Sequence, residues 1–102
     1  MKIVNPKLIH GGIVAKKHFL ELGYTKYIIN DFFQRCIDDE NCIVIDINSK
    51  YYLPFSYLFL VREYYVESKK HAPREKENWK ERFFNERKEL ILKANKQIEI
   101  KE

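Results

Sequence analysis

The segment after Thr25 carries polar side chains of the types that contact nucleic-acid bases and phosphates. Thr25 is a suitable helix N-cap, and apolar residues recur behind it at helical spacing through Cys36. Asn and Gln amides pair with adenine, and Lys or Arg pairs with guanine or phosphate. The segment therefore predicts a recognition helix. The residues that its exposed faces would offer are Lys26, Tyr27, Asn30, Gln34 and Arg35.

Three further lysines are expected to contact the phosphate backbone of the same duplex. Lys16 and Lys17 come early in the preceding predicted helix, near its positive end. Lys50 lies in a predicted β-hairpin. Together with Thr25, these lysines complete the candidate DNA-contacting set.

Acidic residues beside the predicted recognition helix oppose this interpretation. Asp31 lies within the helix, and the loop 38–40 that follows it is Asp-Asp-Glu. Residues 1–67 contain eight Lys/Arg and eight Asp/Glu, whereas residues 68–102 contain eleven and seven and supply the whole net charge of +4. Sequence-independent affinity for DNA depends on phosphate neutralisation, so a neutral body leaves a protein-binding role open.

The sequence lacks the motifs of an enzyme or a metal site. None of the three histidines, His10, His18 and His71, has the ligand spacing of a metal centre, and there is no phosphate-binding loop. Cys36 lies on the apolar stripe, which favours a packed thiol over a nucleophile. Two reduced thiols at Cys36 and Cys42 are favoured over a disulfide. We therefore expect no enzyme activity, no catalytic residue, no metal and no cofactor.

The elements that would position these side chains are short helices separated by glycines. The first predicted helix starts at Asn5-Pro6 and ends at Gly11-Gly12. A short β-branched step leads into the second, from Ala15 to Leu22, which Gly23 closes. The third is the predicted recognition helix.

A β-hairpin is predicted after the third helix. Its strands are the apolar runs at 42–45 and 50–53, with Asn48-Ser49 as the turn, and Pro54 ends the second strand. The order of helix, turn, helix, turn, helix and hairpin is the layout of a winged helix-turn-helix. The predicted fold is therefore mainly α with a small β-hairpin.

The C-terminal third is predicted to be a helical extension. A fourth helix runs from about Ser56 to Glu67, and a charged break at 68–73 separates it from a long helix between Arg74 and about Ile98. This gives a winged-helix domain at 1–67 and a basic helical extension at 68–102. The long helix carries an apolar stripe that needs cover, either from the fourth helix or from a second copy in a homodimer. The stripe consists of Trp79, Phe83, Leu90 and Ala94, with Ile91 beside it.

Residues 8–54 resemble the N-terminal winged-helix domain of AbiEi-type antitoxins. The resemblance rests on the stretch Gly11-Gly12-Ile13-Val14 through Leu20-Glu21-Leu22-Gly23, then Tyr24-Thr25-Lys26, and the hairpin end Tyr51-Tyr52-Leu53-Pro54. It implies binding to operator DNA and autoregulation of an operon. This chain departs from the family in having Ala15 where a Ser or Thr N-cap is usual, and a wing at 46–50 without arginine or glycine. It also lacks the family's large C-terminal domain, so a free-standing regulator from a phage, plasmid or other mobile element is expected.

Two functions follow from the sequence. The first is a sequence-specific, DNA-binding transcriptional regulator that binds double-stranded DNA. The second is a protein-binding winged-helix module, such as a small inhibitor of a host defence or replication protein, which the neutral body and the 7 Tyr favour. The chain starts without the apolar core of a signal peptide and has no apolar run of about 20 residues, so a cytoplasmic location without membrane contact is expected.

Overall fold

Five α-helices and a four-stranded sheet are formed by the residues that the computed structural model describes, which are 2–4, 12–71 and 78–98. The strands are β1 (Lys2–Val4), β2 (Ile13–Val14), β3 (Ile43–Ile47) and β4 (Lys50–Pro54). Their order in the sheet is β1-β3-β4-β2. The predicted mainly helical fold with a small sheet is confirmed. The first predicted helix, at 5–10, lies outside the described residues.

The sheet is larger than the predicted hairpin. The hairpin itself pairs β3 with β4, with Ile45 opposite Tyr52. β1 adds a parallel strand to β3, and β2 adds an antiparallel pair with Leu53 opposite Val14. Neither addition was predicted as a sheet strand, because both segments are too short to carry a clear alternating pattern.

The hairpin turn is at the predicted position. Asn48 and Ser49 both have positive φ, at 52° and 66°. A two-residue turn of this kind matches the right-handed twist of the flanking strands. The tight turn brings Lys50 to the tip of the hairpin.

Two helices precede the hairpin, α1 (Lys16–Glu21) and α2 (Lys26–Asp38). Gly23 closes α1 as predicted, with φ of +95°, a conformation that suits glycine. The start of α1 lacks a hydroxyl cap because Ala15 is the N-cap residue. Its backbone N–H instead donates to Nδ1 of His18 at 3.0 Å.

A 3₁₀ turn at Phe55–Tyr57 leads into α3 (Leu58–Ser68), and α4 (Asn78–Glu86) and α5 (Lys88–Ile98) follow. The prediction of one long C-terminal helix was wrong, because the helix breaks at Arg87. In an uninterrupted helix, the backbone N–H of Arg87 would donate to the carbonyl of Phe83. Here it donates to the carbonyl of Phe84 instead. The Phe83 carbonyl accepts a hydrogen bond from Nη1 of the Arg87 side chain at 3.3 Å. Arg87 Nε also donates to Oε1 of Glu63 at 2.7 Å.

One residue of the predicted apolar stripe is not buried. Leu90 is 49% exposed, whereas Ile91 is 1% exposed, so Ile91 and not Leu90 carries the stripe into α5. The buried residues of the two helices are Trp79, Phe83, Phe84, Ile91, Ala94 and Ile98. The inclusion of Leu90 in the stripe was therefore wrong.

The stripe is covered by the chain's own body. Phe84 packs on Phe32 of α2 with ring centroids 5.8 Å apart, and Trp79 packs on Tyr64 of α3 at 5.1 Å. Asn95 of α5 donates to the carbonyl of Asn41 at 2.7 Å. Residues on both sides of the predicted domain boundary thus share one core. The homodimer stays a prediction. The apolar stripe that suggested it is covered by the same chain and does not need a second copy.

The two cysteines are buried as free thiols. Burial raises the pKa of Cys36 well above its ordinary value of 9.0, and a hydrogen bond with Cys42 adds to the effect. In the described part of the chain, no helix has the length and apolar character needed to cross a membrane.

Candidate nucleic-acid interface

The predicted recognition helix, α2, separates a buried face from an exposed one. Its buried residues are Ile29, Phe32, Phe33 and Cys36. On the other face, Tyr27, Asn30 and Gln34 are exposed and follow each other at three- and four-residue spacing, which places them on one stripe. Lys26 is also exposed, at the start of the helix. We call Tyr27, Asn30 and Gln34 the α2 stripe.

Three lysines predicted to contact phosphate come together in one groove. Lys16 and Lys17 of α1 and Lys50 of the hairpin line an open groove of about 410 Å³, the lysine groove, whose other lining residues are Ala15, Ser49, Tyr51 and Tyr52. Lys16 also places its Nζ 5.5 Å from the ring centroid of Phe33 in α2. The groove therefore lies on the α1 side of α2.

Thr25 occupies the predicted N-cap position of α2 without capping it through its side chain. Its Oγ1 lies 3.5 Å from the hydroxyl of Tyr65 in α3. Hydrogen bonding to Thr25 lowers the pKa of Tyr65, and the positive charge of Lys69 lowers it further. Sequence reasoning missed Tyr65 and Lys69, because nothing local links α3 to a residue forty positions earlier.

Arg35 lies apart from the lysines predicted to contact phosphate. It is half-buried and lines a shallow cleft with the acidic loop at 38–40 and residues of α4. It lies nine positions after Lys26, which corresponds to about 13.5 Å along a helix axis. The structure thus places Arg35 at the acidic end of α2, away from the lysine groove.

Two of the carboxylates that opposed DNA contact, Asp31 and Asp38, are engaged within the protein. Asp31 accepts hydrogen bonds from the Tyr64 hydroxyl and, at 2.9 Å, from Nζ of Lys80. Asp38 accepts from Nε2 of Gln34 at 3.0 Å. The acidic end of α2 lies about 18 Å along the axis from Lys26, which is more than two Debye lengths at physiological salt. The first half of α2 therefore lies in the more basic surroundings.

The lysine groove and the α2 stripe present ammonium, amide and phenol groups at the surface. Lysine ammonium groups attract phosphate, while the amides and phenol of the α2 stripe can donate to and accept from base edges. Within residues 2–4, 12–71 and 78–98, no group of three or more His, Cys, Asp or Glu is placed to hold a metal ion.

Comparisons of the chain with protein-family models, curated proteins and solved structures gave no match.

Proposed function

We propose that this protein is a sequence-specific transcriptional regulator that binds double-stranded DNA through a winged helix-turn-helix. The observation that carries the proposal is the lysine groove beside the exposed stripe of α2. Lys16, Lys17 and Lys50 would hold backbone phosphates while Asn30 and its neighbours face the major groove.

The strand pairing supports the winged-helix part of the proposal. A short strand, β2, precedes the two helices, and the β3–β4 hairpin follows them. β2 pairs with β4, which ties the hairpin to the start of α1. In a winged helix-turn-helix the hairpin stands beside the recognition helix in this way, and the pairing accounts for the approach of Lys50 to Lys16.

The resemblance of residues 8–54 to the AbiEi-type antitoxin domain suggests what the proposed regulator controls and where it comes from. A domain of that kind implies operator binding and control of its own operon, and a phage, plasmid or other mobile element is the proposed source. Ala15 departs from the family pattern, and His18 supports the start of α1 in place of a hydroxyl cap. The departure is therefore compatible with the same helix start.

Binding to random-sequence duplex DNA across a salt series tests the proposal. The variant is the triple substitution Lys16→Gln, Lys17→Gln and Lys50→Gln. The matched control is Lys88→Gln, Lys93→Gln and Lys96→Gln, which removes the same charge from exposed positions of α5. Circular dichroism of both variants checks that each one folds.

Each phosphate contact contributes a slope of about −0.9 to the plot of log affinity against log salt. We expect the slope of the groove variant to be less negative than that of the wild type by about 2 to 3. The α5 control should keep the slope of the wild type. Equal losses in both variants, or no binding by the wild type at about 50 mM salt, contradict the proposal.

A protein-binding module is the second candidate, and an apolar groove on α3 favours it. Leu58, Phe59 and Val66 line this groove together with charged residues, and Val66 is 51% exposed. Grooves of this composition suit protein contacts. Absence of salt-dependent DNA binding in the experiment above would favour this candidate.

A further inference from the structure

We infer that Tyr65 and Lys69 of α3 form a second phosphate-binding contact for the DNA backbone, across α2 from the lysine groove. This inference rests on the proposed DNA-binding function. The winged-helix layout does not include α3 in its DNA-contacting surface, so the contact enlarges the proposed interface with residues outside that unit.

Tyr65 and Lys69 form an ordered cluster with the start of α2. The Tyr65 hydroxyl lies 3.5 Å from Oγ1 of Thr25. Lys69 Nζ lies 4.5 Å from the centroid of the Tyr65 ring. The rings of Tyr24 and Tyr65 pack in a T-shaped arrangement with centroids 4.9 Å apart, which helps to hold the Tyr65 phenol in place. Two hydroxyls and one ammonium group therefore converge beside the first turn of α2.

This cluster and the lysine groove flank α2 from two sides. Phe33 of α2 faces α1, with Phe19 at 5.9 Å between ring centroids and Lys16 above its ring. Phe32 faces α3, with Tyr64 at 5.2 Å. The two contacts therefore lie on different sides of α2, with the cluster at the first turn of the helix. The major groove is about 12 Å wide and an α-helix nearly fills it, so a donor cluster at the first turn of α2 comes close to a backbone phosphate when the helix lies in the groove.

The chemistry of the cluster fits a phosphate group. Phosphate oxygens accept hydrogen bonds from hydroxyl and ammonium donors. Lys69 already lies on the Tyr65 ring, so less side-chain entropy is lost when it binds. The neighbouring carboxylate of Glu67 is paired with His71 at 3.2 Å and with Lys70 at 3.6 Å. The hydrogen bond to Thr25 and the charge of Lys69 lower the pKa of Tyr65 from its ordinary value, which reflects the same converging donors.

The experiment measures binding of the full chain to random-sequence duplex DNA between 50 mM and 300 mM salt. The test variants are Lys69→Gln and Tyr65→Phe, which keeps the ring under Lys69. Lys50→Gln reports on the lysine groove, and Lys93→Gln is the matched loss of one exposed charge on α5. Thermal melting shows that each variant is folded.

We expect Lys69→Gln to lower the salt slope by about 0.9 and to weaken binding roughly fivefold to tenfold at about 0.1 M salt. Tyr65→Phe loses a hydroxyl and should weaken binding by a smaller factor with the slope unchanged. Lys93→Gln should match the wild type.

Three outcomes overturn the inference. A wild-type slope for Lys69→Gln, with a reduced slope for Lys50→Gln, overturns the α3 contact and leaves the proposed function standing. Equal losses in Lys69→Gln and Lys93→Gln also overturn it, because the loss would then reflect net charge alone. Absence of wild-type binding overturns the proposed function together with this inference.

Discussion

Nζ of Lys80 lies 2.9 Å from Oδ2 of Asp31, so α4 neutralises a carboxylate in the middle of α2. The Tyr64 hydroxyl donates to the same oxygen. Both side chains of the ion pair are largely buried, at 10% exposed for Lys80 and 20% for Asp31. The C-terminal helices thus stabilise α2 and also remove a negative charge from the surroundings of the proposed interface.

Lys80→Met should destabilise the protein by about 1–3 kcal/mol, because Asp31 loses a charged partner in a poorly hydrated site. Urea unfolding measures the loss. The double variant Lys80→Met, Asp31→Asn should lose less than the sum of the two single variants, because it leaves no unpaired charge. Strictly additive losses would show that the two groups are not coupled.

Ser49→Gly should stabilise the protein by about 0.5–1 kcal/mol. Ser49 holds φ at 66° in the hairpin turn, where a Cβ atom is unfavourable and glycine is not. Asn48→Gly is the matched control at φ of 52°, and its gain should be smaller because asparagine tolerates this conformation. Urea unfolding compares the two, and a larger gain at position 48 would contradict the prediction.

The free energy of unfolding should fall as the pH rises above about 9. Burial raises the pKa of Cys36 above its ordinary value of 9.0 and that of Tyr57 above 10.0. Above these ordinary values, the folded protein keeps protons that the unfolded chain releases. The free energy of unfolding is therefore highest below the ordinary pKa values and falls above them, by at most about 1.4 kcal/mol per pH unit for each group. The lowered pKa of half-buried Tyr65 acts weakly in the opposite sense, because the folded protein releases this proton before the unfolded chain does.

Urea unfolding between pH 7 and pH 10, under reducing conditions, measures this dependence. Cys36→Ala should be less stable at every pH because it leaves a cavity. Its stability should nevertheless decline less steeply above pH 9, since one titrating thiol is gone. An unchanged decline would show that Cys36 does not contribute.

Asn30→Ala should change sequence preference and leave phosphate contacts intact, if the proposed function holds. Selection from a random duplex library should give a defined site for the wild type. Asn30→Ala should lose preference at one position, at a cost of about 1–3 kcal/mol on the best site. Lys50→Gln should bind all sequences more weakly with the same preference. Identical preference in the wild type and Asn30→Ala would exclude Asn30 from base contact.

Local sequence features predicted the elements around the proposed interface. Thr25 and the helical spacing behind it place the start of α2 correctly, and Gly23 and Asn48-Ser49 mark the two turns. The exposure of Asn30 follows from the same spacing. These features depend on backbone preferences and helical periodicity, which act over a few residues and can be read from the chain directly.

Long-range packing decided the rest. The chain itself determined where α1, α2 and the hairpin lie, because caps, periodicity and turn residues act locally. Tertiary structure alone joined Lys50 to Lys16, placed Tyr65 against Thr25 and paired Asp31 with Lys80. It also broke the predicted long helix at Arg87, whose side chain reaches Glu63 and Phe83. These contacts depend on how distant segments share one core, and no local pattern encodes that choice.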